Sequence, residues 1–253
     1  MSETKTIELK SPKEIRLMRD AGAVVAGALA VLCDAAKAGV ATQELERIAR
    51  AELAKRKAKP AFLGYHGYPA ALCVSLNSEV VHGIPSPERR IADGDLVSLD
   101  FGCVMSGFYA DAAATVPVGR VSAQARRLLE VTRESLEKGI AMARVGGRLG
   151  DISSAVQKHV EGNGFSVVRD FVGHGIGRAL HEDPPVPNYG DAGTGPRLSA
   201  GMVLAIEPMV NAGGPEVDVQ ANGWTAATRD GSLSAHFEHT VALTEKGPEI
   251  LTS

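Results

Sequence analysis

Four carboxylates stand alone in apolar stretches of this sequence: Asp100 in LVSLDFG, Asp111 in YADAAAT, Glu207 in MVLAIEP and Glu238 in AHFEHTVAL. A lone acid in such a segment usually pairs with Lys or Arg, and these segments offer neither. Two buried carboxylates about 4 Å apart repel by about 4 kcal/mol at an effective dielectric near 20. They must share a proton or a cation. Two divalent ions would neutralise all four acids, which favours a dinuclear site over a single ion. His174, in VGHGIGRALHEDP, adds an imidazole, with His181 seven residues on. Carboxylates with one imidazole suit Mn²⁺, Fe²⁺, Co²⁺ or Zn²⁺, whereas structural zinc takes thiolates. Two metals sharing a water is an arrangement of aminopeptidases and phosphatases.

Those acids need elements to hold them. FGCVMSGFYA, between Asp100 and Asp111, reads as strand, turn around Met105–Gly107, and return strand. A turn centred on Met105–Ser106 makes the two aspartates direct cross-strand partners, about 5 Å apart on one face. A two-residue shift leaves them diagonal on that face, and a one-residue shift separates them. The alternative is that one or both face solvent. Leu96, Val97, Leu99, Phe101 and Ala112 to Val116 argue instead for a strand pair buried on at least one side.

Helices flank these strands. SPKE at 11–14 starts one: Ser11 caps, Pro12 fits the first turn and Glu14 closes a capping box. Ile15, Met18, Val25, Leu29 and Leu32 then share a face. A second helix runs from Thr42 to Lys57. Strands follow in AALCVSL, LVSLDFGCV and GFYADAAATVPVG. The order then repeats, with a helix over 122–143 (Leu129, Thr132, Leu136 and Ile140 on one face), another near Asp151–Glu161, and strands in SVVRDFV, MVLAIEPMV and FEHTVALTE. Gly39 and Gly146 lie 107 positions apart, as do Asp100 and Glu207. This predicts two α+β halves packed as one domain, with a ligand site where they meet.

The 253 residues carry a net charge of −3, which gives no basic surface for nucleic acid. Three cysteines, Cys33, Cys73 and Cys103, without metal-type spacing read as reduced thiols in a cytosolic protein. The uncharged run Ala21–Cys33 is too short to span a bilayer and reads as buried helix.

Together VVHGIP, LVSLDFG, YADAAAT, VGHGIGRALHEDP, AIEPM and SAHFEHT resemble the signature segments of the type I methionine aminopeptidases, over about Pro12 to Leu251. The resemblance implies the α+β pita-bread (creatinase/aminopeptidase) fold: two pseudo-symmetric halves with an antiparallel β-sheet core and outer helices. It implies a single catalytic domain over 1–253, with a tail at 1–10 and halves at about 11–120 and 121–250. The metal ligands it implies are Asp100, Asp111, His174, Glu207 and Glu238, holding two divalent ions (Co, Mn, Fe or Zn), with Asp111 and Glu238 bridging. His82, His181 and Glu207 would be catalytic. Tyr65, Tyr68, Cys73 and Trp224 would line a methionine pocket, and His82 and His181 would contact the substrate. Phe62 and Leu180 belong to that pocket but depart from the family, which often has a small Cys and an aromatic there.

The implied activity is removal of the N-terminal methionine from nascent proteins and peptides, mainly before a small second residue. A hydroxide bridging two metals would attack the first peptide bond. The implied partners are those N-termini, with the ribosome a candidate; no membrane or specific nucleic acid is expected, and the expected state is a cytoplasmic monomer. The alternatives are an Xaa-Pro aminopeptidase or prolidase of the same fold, or a non-catalytic binding relative. A dinuclear phosphatase would want cations near the site, and the motif segments hold only Arg178.

Overall fold

The computed structural model describes residues 7–253, so residues 1–6 of the expected tail lie outside the described residues. Helix α1 (Pro12–Ala35) begins with the capping box: Ser11 Oγ accepts the Glu14 N–H, and Glu14 accepts the Ser11 N–H at 2.7 Å. Its buried stripe includes Ile15, Met18, Val25, Leu29 and Leu32. The uncharged run lies inside this helix, and among the described residues no helix is long and apolar enough to cross a membrane. Helix α2 (Thr42–Arg56) stops at Lys57, whose φ of 55° is left-handed. Helices α3 (Ala123–Met142) and α4 (Leu149–Gly162) follow the central strands, and in α3 the buried stripe runs through Leu128 rather than Leu129.

One antiparallel sheet carries the site. Its strands run in the order Lys59–Pro60, Leu96–Met105, Phe108–Pro117, Glu238–Thr244, Val203–Ile206, Gly173–Gly175, Glu182–Val186. Leu72–Leu76 also pairs with Leu96–Met105, and Gly247–Ile250 with Glu238–Thr244. Strand alternation sorts the side chains. Leu99 and Phe101 are fully buried with Val25, Leu29 and Leu45 of the first helix pair. Each such side chain contributes about 2–3 kcal/mol of burial. Leu204, Ile206 and Val241 meet Leu136, Ile140 and Ile152 of the second pair. The helices therefore cover one face, and Asp100 turns to the other.

The 107-residue spacing recurs in the hydrogen bonds. Gly39 donates to Ile91, and Ile91 donates to Val40; Gly146 donates to Leu198, and Leu198 donates to Gly147. The bridges Ala41–Arg90 and Arg148–Arg197 keep the same offset. Between the two sets of strands runs a seam in which Glu238 pairs with Ala113 and His239 with Ala112. Two threonines clasp it. Thr240 Oγ1 accepts the Asp111 N–H at 3.0 Å and donates to the Asp111 carbonyl at 2.8 Å. Thr115 Oγ1 does the same to the His236 backbone, at 2.8 Å both ways.

Two strands are shorter than expected. MVLAIEPMV breaks into Val203–Ile206 and Met209–Asn211, because Pro208 has no N–H for a ladder. The second piece joins a separate small sheet with Ser234–His236 and Ser166–Val167. Those last two residues are all of SVVRDFV that forms a strand.

Candidate metal centre and substrate cavity

The central hairpin sets the first two acids. Its register pairs Asp100 with Ala113 and Gly102 with Asp111. The aspartates are thus diagonal neighbours on one face, not the direct cross-strand partners a turn centred on Met105–Ser106 would make; the turn lies one residue later, at Ser106–Gly107, both with positive φ. Glu207 sits at the break before Pro208, and Glu238 starts the seam strand. His174 lies in the three-residue strand Gly173–Gly175, where backbones approach closely: a Cβ on either glycine would run into a main-chain carbonyl, of Ala205 at 173 and of Asp183 at 175. The need for bare backbone explains the glycines of VGHGIG.

All the expected site residues line one cavity of about 220 Å³. Asp111 and Glu238 are buried, at 4 % and 2 % exposure, while Asp100 and Glu207 are partly exposed. Among the described residues, no Lys or Arg lines the cavity. Burial first, and then mutual repulsion, push Asp100, Glu207 and Glu238 well above the usual carboxylate range. Burial raises Asp111 to about 7, even though Asp100 and the Ala112 N–H act to lower it.

The histidines shift the other way. Burial, reinforced by His181, lowers His174 to about 3. His174 Nδ1 lies 2.9 Å from the Gly175 carbonyl. A carbonyl only accepts, so the proton sits on Nδ1 and Nε2 keeps its lone pair. Burial and then His181 take His82 down to about 4. Its φ of 61° is left-handed, and its ring meets Phe171 edge-on at 5.4 Å. His181 is lowered by burial and by His66. Its Nδ1 is 2.7 Å from the Tyr65 hydroxyl, and its ring stands edge-on to His174 at 4.2 Å.

The donor set fits divalent metal. Asp111, His174 and Glu238 offer ligand atoms that all lie within 4.8 Å of one another. Asp100 Oδ1, Asp111 Oδ1 and Glu238 Oε1 are buried without a hydrogen-bond partner. Orphaned buried carboxylate oxygens are costly unless a cation meets them. The lone pair of His174 completes a mixed oxygen and nitrogen set.

The rest of the lining is largely apolar. Phe62, Tyr68, Cys73 and Leu180 are buried, with Tyr68 and Trp224 edge-on at 5.2 Å. Tyr68 donates its hydroxyl to the Leu72 or Gly83 carbonyl, so its ring presents carbon.

Two residues at the site escaped the sequence reading. His66 lines the cavity from a turn at Tyr65–Gly67. His236 is fully buried, with Nε2 unpartnered and 3.5 Å from Glu207 Oε2. Its place two residues before Glu238 was the available signal.

The family model for metallopeptidase family M24 matches residues 16–245. A methionine aminopeptidase of Clostridium acetobutylicum is 52 % identical over 246 residues, 97 % of this chain and 98 % of the relative. Methionine aminopeptidase 1 of Bacillus subtilis is 51 % identical over 96 % of this chain and 98 % of its own length. Among solved structures, the methionine aminopeptidase of Thermotoga maritima matches with a TM-score of 0.97 at 51 % identity, covering 98 % of this chain and 100 % of that one. The prolidase of Pyrococcus furiosus shares the fold, with a TM-score of 0.76 at 23 % identity; the match covers 97 % of this chain and 65 % of that one.

Proposed function

The chain belongs to metallopeptidase family M24, and on that premise we infer that it removes methionine from the N-terminus of polypeptides in a metal-dependent hydrolysis. Its cavity joins a cation-demanding acid cluster to an apolar aromatic wall, and that junction carries the reading. A thioether packs well against aromatic rings, and the acids of the same cavity would hold the metal that the hydrolysis uses.

We assign the metal site to Asp100, Asp111, His174, Glu207 and Glu238. Five ligands and four acids support two ions of Mn²⁺, Fe²⁺, Co²⁺ or Zn²⁺ rather than one. When bound, such ions supply Lewis acidity, acidifying water and polarising a carbonyl. The remaining chemistry belongs to the protein. Glu207 accepts the proton of the attacking water and returns it to the leaving amine, which a carboxylate beside the reacting atoms can do in both directions. With the Tyr65 hydroxyl donating to Nδ1, His181 carries its proton on Nε2 and donates to the carbonyl oxygen as charge builds there. His82, neutral at pH 7, hydrogen-bonds the scissile nitrogen. Phe62, Tyr65, Tyr68, Cys73, Leu180 and Trp224 hold the methionine side chain.

We further propose nascent chains with a small second residue as substrates, and a cytoplasmic monomer acting near the ribosome. We read residues 1–253 as one catalytic domain, with halves at about 11–120 and 121–250. The shared 107-residue hydrogen-bond pattern supports the halves.

The test is metal-free protein titrated with Mn²⁺, Fe²⁺, Co²⁺ and Zn²⁺ against Met-Ala and Ala-Pro peptides. The expected result is metal-dependent cleavage of Met-Ala alone. Cleavage of Ala-Pro in preference, or none with any metal, defeats the reading.

A further inference from the structure

We propose that Lys10 and Glu182 form a buried clamp that positions His181 for the reaction, which rests on the role given to His181 above. The Lys10 side chain is 2 % exposed and that of Glu182 13 %, and the ammonium meets Glu182 Oε2 directly. Glu182 Oε1 accepts the N–H groups of Arg178 at 2.6 Å and Ala179 at 3.0 Å. One carboxylate therefore ties the end of the loop 177–182 back to its start. His181 is the residue immediately before Glu182, so its Cα lies about 3.8 Å from the Glu182 Cα.

The clamp has a fixed base. The Lys10 N–H donates to the Gly201 carbonyl at 2.7 Å, and the Lys10 ammonium also donates to Glu8 O at 3.2 Å. The loop enters under equal control: Ile176 donates to Val203 at 3.0 Å, and Tyr109 donates to Gly177 at 2.8 Å. Gly177 leaves room for the pair, since a Cβ there would collide with the Lys10 side chain and press on Glu182 Oε1 at 2.9 Å. Outside, Arg178 adds exposed contacts to Glu8 at 3.4 Å and Glu14 at 2.5 Å, and stacks over Phe108. Those exposed pairs add little.

Stability does not account for the clamp. Burying an ion pair is costly, and an apolar pair of similar volume is often as stable. What the pair supplies is position. With the backbone held by Glu182 and the ring held by Tyr65, His181 has one free nitrogen and one place to put it. A displacement of about 1 Å costs as much as a hundredfold in rate.

The experiment uses the full chain, metal-loaded, as Lys10→Met, Glu182→Leu and the double variant. Lys10→Met alone strands a buried carboxylate; the double variant is neutral and keeps the test readable if the single does not fold. The readouts are kcat and KM on a Met-Ala-Ser peptide, metal content, and exchange of the Arg178 and Ala179 amides. We expect kcat to fall about tenfold or more. KM should stay within about twofold and metal content should be unchanged. The two amides should exchange faster, and the double variant should be no worse than the poorer single. Wild-type kcat in folded variants overturns the proposal, as does faster exchange with kcat intact, or a kcat loss that tracks metal loss. If wild-type protein itself leaves the peptide uncut, the functional reading fails instead, and the amide exchange alone then decides whether the clamp holds the loop.

Discussion

Glu52 on α2 and Glu238 on the seam strand have carboxyl groups that are pushed in opposite directions. Lys55 and Arg56, one turn on, hold Glu52 below the usual range. Burial and three neighbouring acids hold Glu238 above it. The same contrast divides the molecule. On the outer helices and loops, the Ser11 N–H and hydroxyl, and then Arg178, lower Glu14, while Arg47 lowers Glu44 and Arg229 lowers Asp218. On the inner face of the sheet the acids meet one another. A protein able to pair its acids with cations on one face and leaving four without a Lys or Arg in the cavity on the other has kept the second set for a partner it does not itself supply.

The sharpest way to break this contrast is Glu238→Ala. On the inner face it should cost more than a thousandfold in peptide turnover, about 4 kcal/mol in barrier height, together with metal binding. Cleavage kinetics and metal analysis read both. Full activity in the metal-depleted variant would remove the basis for two kinds of acid.

Next is Asp111→Asn in metal-free protein. The folded pKa of Asp111, about 7, lies above its unfolded value. Its protonated form is therefore favoured by folding, and that stability is complete below about pH 4 and lost as pH rises toward 7. The variant has no such group and repels Asp100, Glu207 and Glu238 less, so wild type should weaken relative to it over that window. Denaturant midpoints across pH measure the difference, and comparison with the variant cancels the opposing titration of buried histidines elsewhere.

A smaller effect tests the cavity's apolar lining. Phe62→Ala should lower kcat/KM for Met peptides about tenfold, with metal binding intact.

The smallest effects belong to the outside. Ser122 Oγ caps α3 by accepting the Ala125 N–H. Ser122→Ala should cost about 1 kcal/mol in thermal or denaturant unfolding and leave activity alone. Glu44→Ala, which breaks an exposed pair with Arg47, should leave the unfolding midpoint almost unchanged.

Much of this contrast was legible in the sequence, because an acid with no cation within its apolar segment is a local fact. Helix starts were legible for the same reason: Ser11, Pro12 and Glu14 act within one turn. The 107-residue repeat could be read from two glycines and two acids. What escaped was what depends on register or distance. One residue in the turn moved Asp111 from direct to diagonal. The break at Pro208 sent half of one apparent strand to another sheet. His236 looked like any histidine until the seam buried it beside Glu207. Lys10 and Glu182 are 172 positions apart, and nothing local joins them.

The threonine clasps have a mechanical consequence. The sheet passes unbroken from one half to the other beneath the acids, through Ala113–Glu238 and Ala112–His239, with Thr115 and Thr240 bolted across it. The floor of the cavity therefore has no hinge. Prising the halves apart to admit a bulkier guest would tear main-chain pairing at Asp111 itself. Breadth of substrate must come from the rim, from the turn at Tyr65–Gly67 and the segment around Trp224, and that is where efforts to retarget this scaffold belong.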